Sequence, residues 1–181
     1  MNIEETAYWL DQIIPADLVS GHSAGLPAVT AELGQGQFLA ATVDVAELDT
    51  GLRELETELP VRSELLVVAR APQQQLVDVL AAAAIMLKDA GGIVPAQPGT
   101  MLPQLGQRAG LSGFTVAHGL FIPPYLWGGE VPQITEDDRL TVALQLVLLT
   151  DSEYAFAVEE GAGALQRELG ELGVDLLDWS R

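Results

Sequence analysis

Gly21-His22-Ser23-Ala24-Gly25 matches G-x-S-x-G, the turn on which many serine hydrolases present their nucleophile. With Ser23 in that role, His118 would be the general base, and an acid such as Asp44 or Asp89 would orient it for acyl transfer. That chemistry sets a structural condition. A strand must lead into the serine and a helix must leave it, strained so that Oγ is exposed. The preceding "IIPADLVSGH" holds at best a very short strand, and Leu26-Pro27 opens β-rich sequence rather than a helix. The flanks therefore predict that Ser23 is a turn residue, with a serine hydrolase as the alternative reading.

The other reactive side chains form no recognisable set. His118 lies in the apolar "VAHGLF", which predicts a hydrogen-bonded structural histidine rather than a base. Two histidines and no cysteine argue against a zinc site. Glu136-Asp137-Asp138 could meet a hard cation, but no EF-hand spacing surrounds it, and a solvated acidic loop fits better. There is no P-loop, and no G-x-G-x-x-G follows a strand. The expectation is a protein with no catalytic set, metal or cofactor.

Composition narrows the partners. A chain of 181 residues that is 49% hydrophobic is the size of one domain with one core. The acidic N-terminus "MNIEETAYWLDQ" does not resemble a signal peptide, and the longest apolar runs are too short to span a membrane. The expectation is a cytoplasmic protein. Against 26 acidic residues stand eight basic ones, scattered singly, for a net charge of −18. Nucleic acid and anionic lipid are repelled by such a surface. The acidity serves either solubility or an acidic face complementary to a basic partner protein.

The elements that must position these residues follow from periodicity and punctuation. Residues 3–14 have helical spacing and end at Pro15. Residues 26–33 and 37–45 read as strands joined by Gly34-Gln35-Gly36. The charged stretch "ELDTGLRELETELPVR" is loosely helical, an excursion or a short helix, and the continuous apolar run 63–70 predicts a central strand. Pro72 precedes a buried alanine-rich helix stopped by Gly91-Gly92. A proline- and glycine-punctuated connection leads to a strand over 114–122, a loop over 123–138 and a long strand over 139–149. Thr150 and Glu153 form a capping box for one or two helices that break near Gly161 and Gly163. The order predicts an α+β (mixed α/β) single domain, a central mixed β-sheet with helices packed on it. Within the loop, two prolines extend the backbone beside Tyr125 and Trp127, which either pack on their own domain or anchor a docking surface.

Three segments taken in order resemble the suppressor of fused-like family. They are "RSELLVVAR" followed by "QQQLVDVLAAAAIML", then "PAQPGTMLP" with "HGLFIPPYLW", then "LQLVLLTDSEYAFAVEEGAGALQRELGELGVDLLDWSR". The last carries an apolar strand, T-x-x-E, a glycine eight residues after the glutamate, and a closing Asp and Arg. The likeness is clearest over residues 60–181, and the domain is expected to fill 1–181. It implies helices on a central sheet and a non-enzymatic protein that binds another protein, with no catalytic residues to carry over. Single-domain bacterial members imply an immunity protein that neutralises a cognate toxin, here a basic one. On that reading Glu136, Asp137, Asp138, Tyr125 and Trp127 contact the partner, while Thr150, Glu153, Gly161 and His118 are structural.

Overall fold

Two long strands are buried on both faces, and the rest of the molecule is arranged around them. In the computed structural model, which describes residues 1–128 and 130–181, β4 (Val61–Ala69) lies parallel to β8 (Leu140–Thr150). Their register runs from Val61 opposite Leu140 to Leu66 opposite Gln145. A continuous apolar run suits a strand covered above and below, so the expected central strand is central.

Antiparallel wings extend from this pair. On one side β1 (Val19–Ser23), β2 (Leu26–Gly34) and β3 (Gln37–Thr42) form a meander that pairs with β4. Both hairpins turn on two residues of positive φ, Ala24-Gly25 and Gln35-Gly36, whose twist matches that of the strands. On the other side β5 (Met101–Leu102) pairs with β6 (Val116–Ile122), and β6 with β8. The short β7 (Gln133–Thr135) pairs with the start of β8, giving the order β1-β2-β3-β4-β8-β6-β5 with β7 beside β8.

Alternation along β4 and β8 sorts the core into layers. Leu65 and Val67, with Leu144, Leu146 and Leu148, face α2 (Gln73–Ala90), whose buried Ala81–Ala84 lets it lie close on the sheet. Gly91 ends that helix in the left-handed conformation. On the opposite face, α1 (Ile3–Ile13) covers Leu39, Leu66 and Val68 through Trp9 and Leu10. Further along, α4 (Asp151–Glu160) and α5 (Ala162–Glu171) cover Leu120, Val147 and Leu149. This is the α+β mixed-sheet arrangement anticipated.

Several details differ from expectation. The stretch 47–62 is an excursion and not a short helix. A 3-10 turn at Val45–Glu47 precedes a loop closed by the Arg53–Pro60 bridge, and Glu54 accepts hydrogen bonds from the amides of Glu56 and Thr57. A carboxylate that takes up its own neighbouring amides competes with the helical ladder. The connection after Gly92 contains β5 and α3 (Leu105–Arg108), and the loop over 123–138 contains β7. Gly129, in that loop, lies outside the described residues. Residues 114 and 115 leave the strand because the C-terminal tail takes their place: Thr115 donates its amide to the Trp179 carbonyl at 3.0 Å.

That tail crosses from one face to the other. After α5, Arg70 donates its amide to the Leu177 carbonyl, and Trp179, 1% exposed, packs edge-on against Phe114 at 5.6 Å in the α2 layer. The Arg181 guanidinium donates to Glu153 at 3.0 and 2.8 Å and to the Leu148 carbonyl at 2.6 Å. Glu153 also receives the Thr150 amide at 2.8 Å, while Thr150 Oγ1 receives the Glu153 amide at 3.3 Å. The capping box thus doubles as the anchor for the tail. Gly161, at φ 91° and ψ 153°, makes the break between α4 and α5, whereas Gly163 is helical. Burial would push the Glu153 carboxyl up, but Arg181 and the Thr150 amide outweigh it and hold it below its ordinary value. Its contribution to stability is therefore present above the unfolded value of 4.5 and fades as pH falls below it. By urea denaturation at pH 7, Thr150→Ala should cost about 1 kcal/mol and Arg181→Ala about 2 kcal/mol; equal stability of Arg181→Ala and the parent would show that the tail is not anchored there.

Candidate functional site

Ser23 closes β1, and the Ala24-Gly25 turn leads straight into β2. The geometry is strand–turn–strand, without the exiting helix of a nucleophile elbow. Ser23 therefore sits at a strand end rather than within the turn, and its hydroxyl is not free: Oγ donates to Asp78 Oδ1 on α2 at 2.7 Å. Gln74 Nε2 donates to the same carboxylate at 2.9 Å. The pair ties an edge hairpin to the helix beneath it.

His118 lies five strand steps away on β6, roughly 24 Å at the usual spacing between strands. Its Nδ1 accepts the Gln104 amide at 3.1 Å, so the proton sits on Nε2, which faces Asp151 Oδ1 at 2.9 Å. The ring stacks on Tyr154 with centroids 4.0 Å apart. Both nitrogens are engaged in joining β6 to the turn before α3 and to the first turn of α4. Asp44 adjoins the 3-10 turn and Asp89 is exposed in the last turn of α2, so the serine, the histidine and these acids are not assembled.

The loop from 123 to 138 is organised around α1. Trp127 Nε1 donates to the Ile13 carbonyl at the C-terminal end of α1 at 2.6 Å, and Leu126 and Trp127 pack among the residues beneath that helix. Tyr125 donates its amide to Gln145 Oε1 at 3.2 Å and leaves its ring 46% exposed. At the other end, Glu136 receives the Met1 ammonium and Arg139 Nε, the latter at 2.8 Å. Arg139 also donates to Glu47 at 2.8 Å and to the Met1 carbonyl at 2.9 Å. Desolvation acts against the charged form of Glu136, yet the ammonium and Arg139 hold the carboxyl below its ordinary value.

The acidic triplet is therefore divided. Glu136 is a latch for the start of α1, while Asp137 and Asp138 are exposed at the tip of the β7–β8 hairpin, closed by the Glu136 amide on the Arg139 carbonyl at 2.8 Å. The aromatic loop is divided too, with Trp127 turned inward and Tyr125 outward. The two groups grip opposite ends of α1, which at eleven residues is about 16 Å long.

Between those ends lies a surface that sequence reasoning missed. Tyr8, 68% exposed, stands beside an apolar groove of about 500 Å³ lined by Met1, Glu4, Trp9, Gln12 and Ile134. Met1 and Glu4 also line an adjoining cavity of about 560 Å³ that includes Val43, Asp44, Glu47 and Glu64. The spacing of Glu4, Tyr8 and Gln12 was available as a signal, since these three share one stripe of a helix whose opposite stripe is apolar.

Glu64 was also missed, and its signal is a single charge inside the apolar run "SELLVVA". It is 1% exposed and accepts from Thr42 Oγ1 and from the Val45 and Ala46 amides at 3.2 and 3.1 Å. Burial pushes its carboxyl up to about 7 against those three hydrogen bonds, and Asp44 adds repulsion.

No family model matches the chain, and no curated protein matches it in sequence. Its fold, however, is shared with solved structures. It resembles a homologue of the suppressor of fused protein from Neisseria gonorrhoeae FA 1090 with a TM-score of 0.74 at 14% identity, over 98% of this chain and 93% of that one. A chain of the Sufu–Fu complex superposes with a TM-score of 0.64 at 13% identity, over 97% of this chain and 85% of that one. Drosophila suppressor of fused gives a TM-score of 0.52 at 15% identity, with 96% of this chain matching 42% of that protein. At these identities the likeness is one of fold.

The burial of Glu64 has a measurable consequence. Folded Glu64 holds its proton more tightly than an unfolded glutamate, so its favourable contribution is complete below pH 4.5 and is lost as pH rises to about 7. Glu64→Gln cannot ionise. Its stability relative to the parent should therefore rise between pH 4.5 and 7, by up to about 3 kcal/mol. Parallel urea titrations at several pH values check this, and a difference that stays flat across the window would contradict it.

Proposed function

We propose that this protein is a non-enzymatic binding protein of the suppressor of fused type, with residues 1–181 forming the binding domain. Its role is that of a cytoplasmic immunity protein that binds and neutralises a cognate, basic bacterial toxin. The observation that carries the reading is the fold shared along 98% of this chain with a bacterial suppressor of fused homologue of nearly the same extent. The likeness to a chain of the Sufu–Fu complex adds a relative that assembles with another protein.

Chemistry at the surface is consistent with this role. The two side chains on which the hydrolase reading depended are committed to Asp78 and Asp151. The net charge of −18 favours a cationic partner, and among the described residues Arg62, Arg70, Arg139 and Arg181 are already paired with acids. Tyr125, Asp137 and Asp138 project from the loop and hairpin that flank α1, placing an aromatic ring and two free acids on the side proposed to meet the partner. Trp127 and Glu136 act there by holding those projections in place.

The test is binding to the product of a toxin-like gene adjacent to this one, together with rescue of cells expressing it. Association should be electrostatically steered, with the on-rate falling steeply as salt rises to where the Debye length is about 8 Å. Asp137→Asn with Asp138→Asn should slow association about threefold and leave dissociation nearly unchanged, as rim charges do. Measured by surface plasmon resonance at several salt concentrations, a salt-independent on-rate would show that the acidity serves solubility instead.

A further inference from the structure

Two concavities meet at the start of α1 and differ in chemistry. The groove beside Tyr8 is lined mainly by apolar atoms of Met1, Tyr8, Trp9 and Ile134. The cavity it joins, through Met1 and Glu4, presents the carboxyl groups of Glu4, Asp44 and Glu47 over a floor that includes Val43 and the buried Glu64. Neither lining contains a lysine or arginine among the described residues, and the ammonium of Met1, which lines both, is paired with Glu136. Within the cavity, Glu47 is neutralised by Arg139, and Glu64 is served by Thr42 and two amides. Asp44 has no such support. Its Oδ1 is enclosed and receives no hydrogen bond from the described residues, and burial followed by the charge of Glu47 pushes its carboxyl up. A buried acceptor without a donor costs free energy that a donor from outside would recover.

We propose that this continuous concavity receives an amphipathic basic segment of the partner protein, its apolar side chains lying along α1 against Tyr8 and Trp9 and one guanidinium or ammonium group entering the cavity to pair with Asp44 and Glu4. This rests on the protein-binding reading above and names where, and by what, the partner is held. The occupant follows from complementarity. An apolar trough calls for aliphatic or aromatic side chains at helical spacing, and an acidic pocket with an unserved carboxylate calls for a cation with several donors. The groove is held open because α1 is pinned at both ends, by Trp127 on the Ile13 carbonyl and by Glu136 and Arg139 on Met1.

A synthetic amphipathic helix of leucine and arginine serves as the probe. Its controls are a leucine–glutamate peptide and an alanine–arginine peptide of the same pattern. Followed by amide chemical shifts, the leucine–arginine peptide should bind saturably and perturb Tyr8, Trp9, Gln12, Asp44 and Ile134, with both controls weaker by about tenfold or more. Tyr8→Ala and Asp44→Asn should each weaken it about tenfold, whereas Glu159→Gln with Glu160→Gln on α4 should change it less than about twofold, as exposed charges do. Shifts scattered over the acidic surface, no saturation, or equal losses in the α1-side and α4 variants would overturn the proposal. The same variants separate it from the functional reading. A toxin-like partner that binds the parent and both α1-side variants equally would refute this site and leave protein binding intact. A peptide that maps to the groove when no toxin partner binds would support the site and refute the toxin role.

Discussion

The parallel ladder between β4 and β8 is the constraint on which the rest of the molecule depends. Among the described residues it is the sheet's only junction between the N-terminal meander and the C-terminal wing. Because both strands are buried on both faces, each face must be covered along its whole breadth. On one face the alanine-rich α2 lies across several strands. The opposite face is shared by α1 at one end and α4 with α5 at the other. Between them the sheet carries Gln145, fully buried, and the Pro123–Trp127 segment crosses above it, bonding Gln145 through the Tyr125 amide.

That arrangement explains why the candidate binding face lies at α1. The helix is too short to hold its place by propensity alone, and it is fixed by packing and by bonds to both of its ends from a loop far away in sequence. Its inner stripe goes to the core, which leaves Tyr8 facing outward along the apolar groove. Residues anticipated as one patch are consequently separated in role. Trp127 and Glu136 hold the frame, and Tyr125, Asp137 and Asp138 remain available. Electrostatics point the same way, since among the described residues four of the eight basic side chains are paired with acids and the net charge is −18.

Much of the fold was legible because its longest elements have strong periodic signals. The unbroken apolar runs of β4 and β8, the alanine helix with its glycine stop and the T-x-x-E box all announce themselves locally. The short pieces do not. β5 has two residues and β7 three, and each exists only because a neighbouring strand offers unpaired backbone groups. The charged stretch after Glu47 was readable as either an excursion or a short helix, and it is an excursion in which the Glu54 carboxylate takes up neighbouring amides. At the site, the missing helix after Ser23 and the apolar setting of His118 were readable from their flanks, but their hydrogen-bond partners Asp78 and Asp151 depend on sheet order and helix placement. The latch at Glu136 and the burial of Glu64 are tertiary facts, visible beforehand only as an acid in a turn and an acid in an apolar strand.

The proposed function requires that a partner be held against the α1 face. Hydrogen exchange by mass spectrometry, on the protein alone and saturated with the adjacent toxin-like protein, tests it most directly. New protection is expected at α1, at the Tyr125–Asp138 segment and at the turn around Asp44, with the Ser23 hairpin and α4–α5 unchanged. Protection centred on the β1–β2 hairpin or on α4–α5, with α1 exchanging as in the free protein, would contradict it.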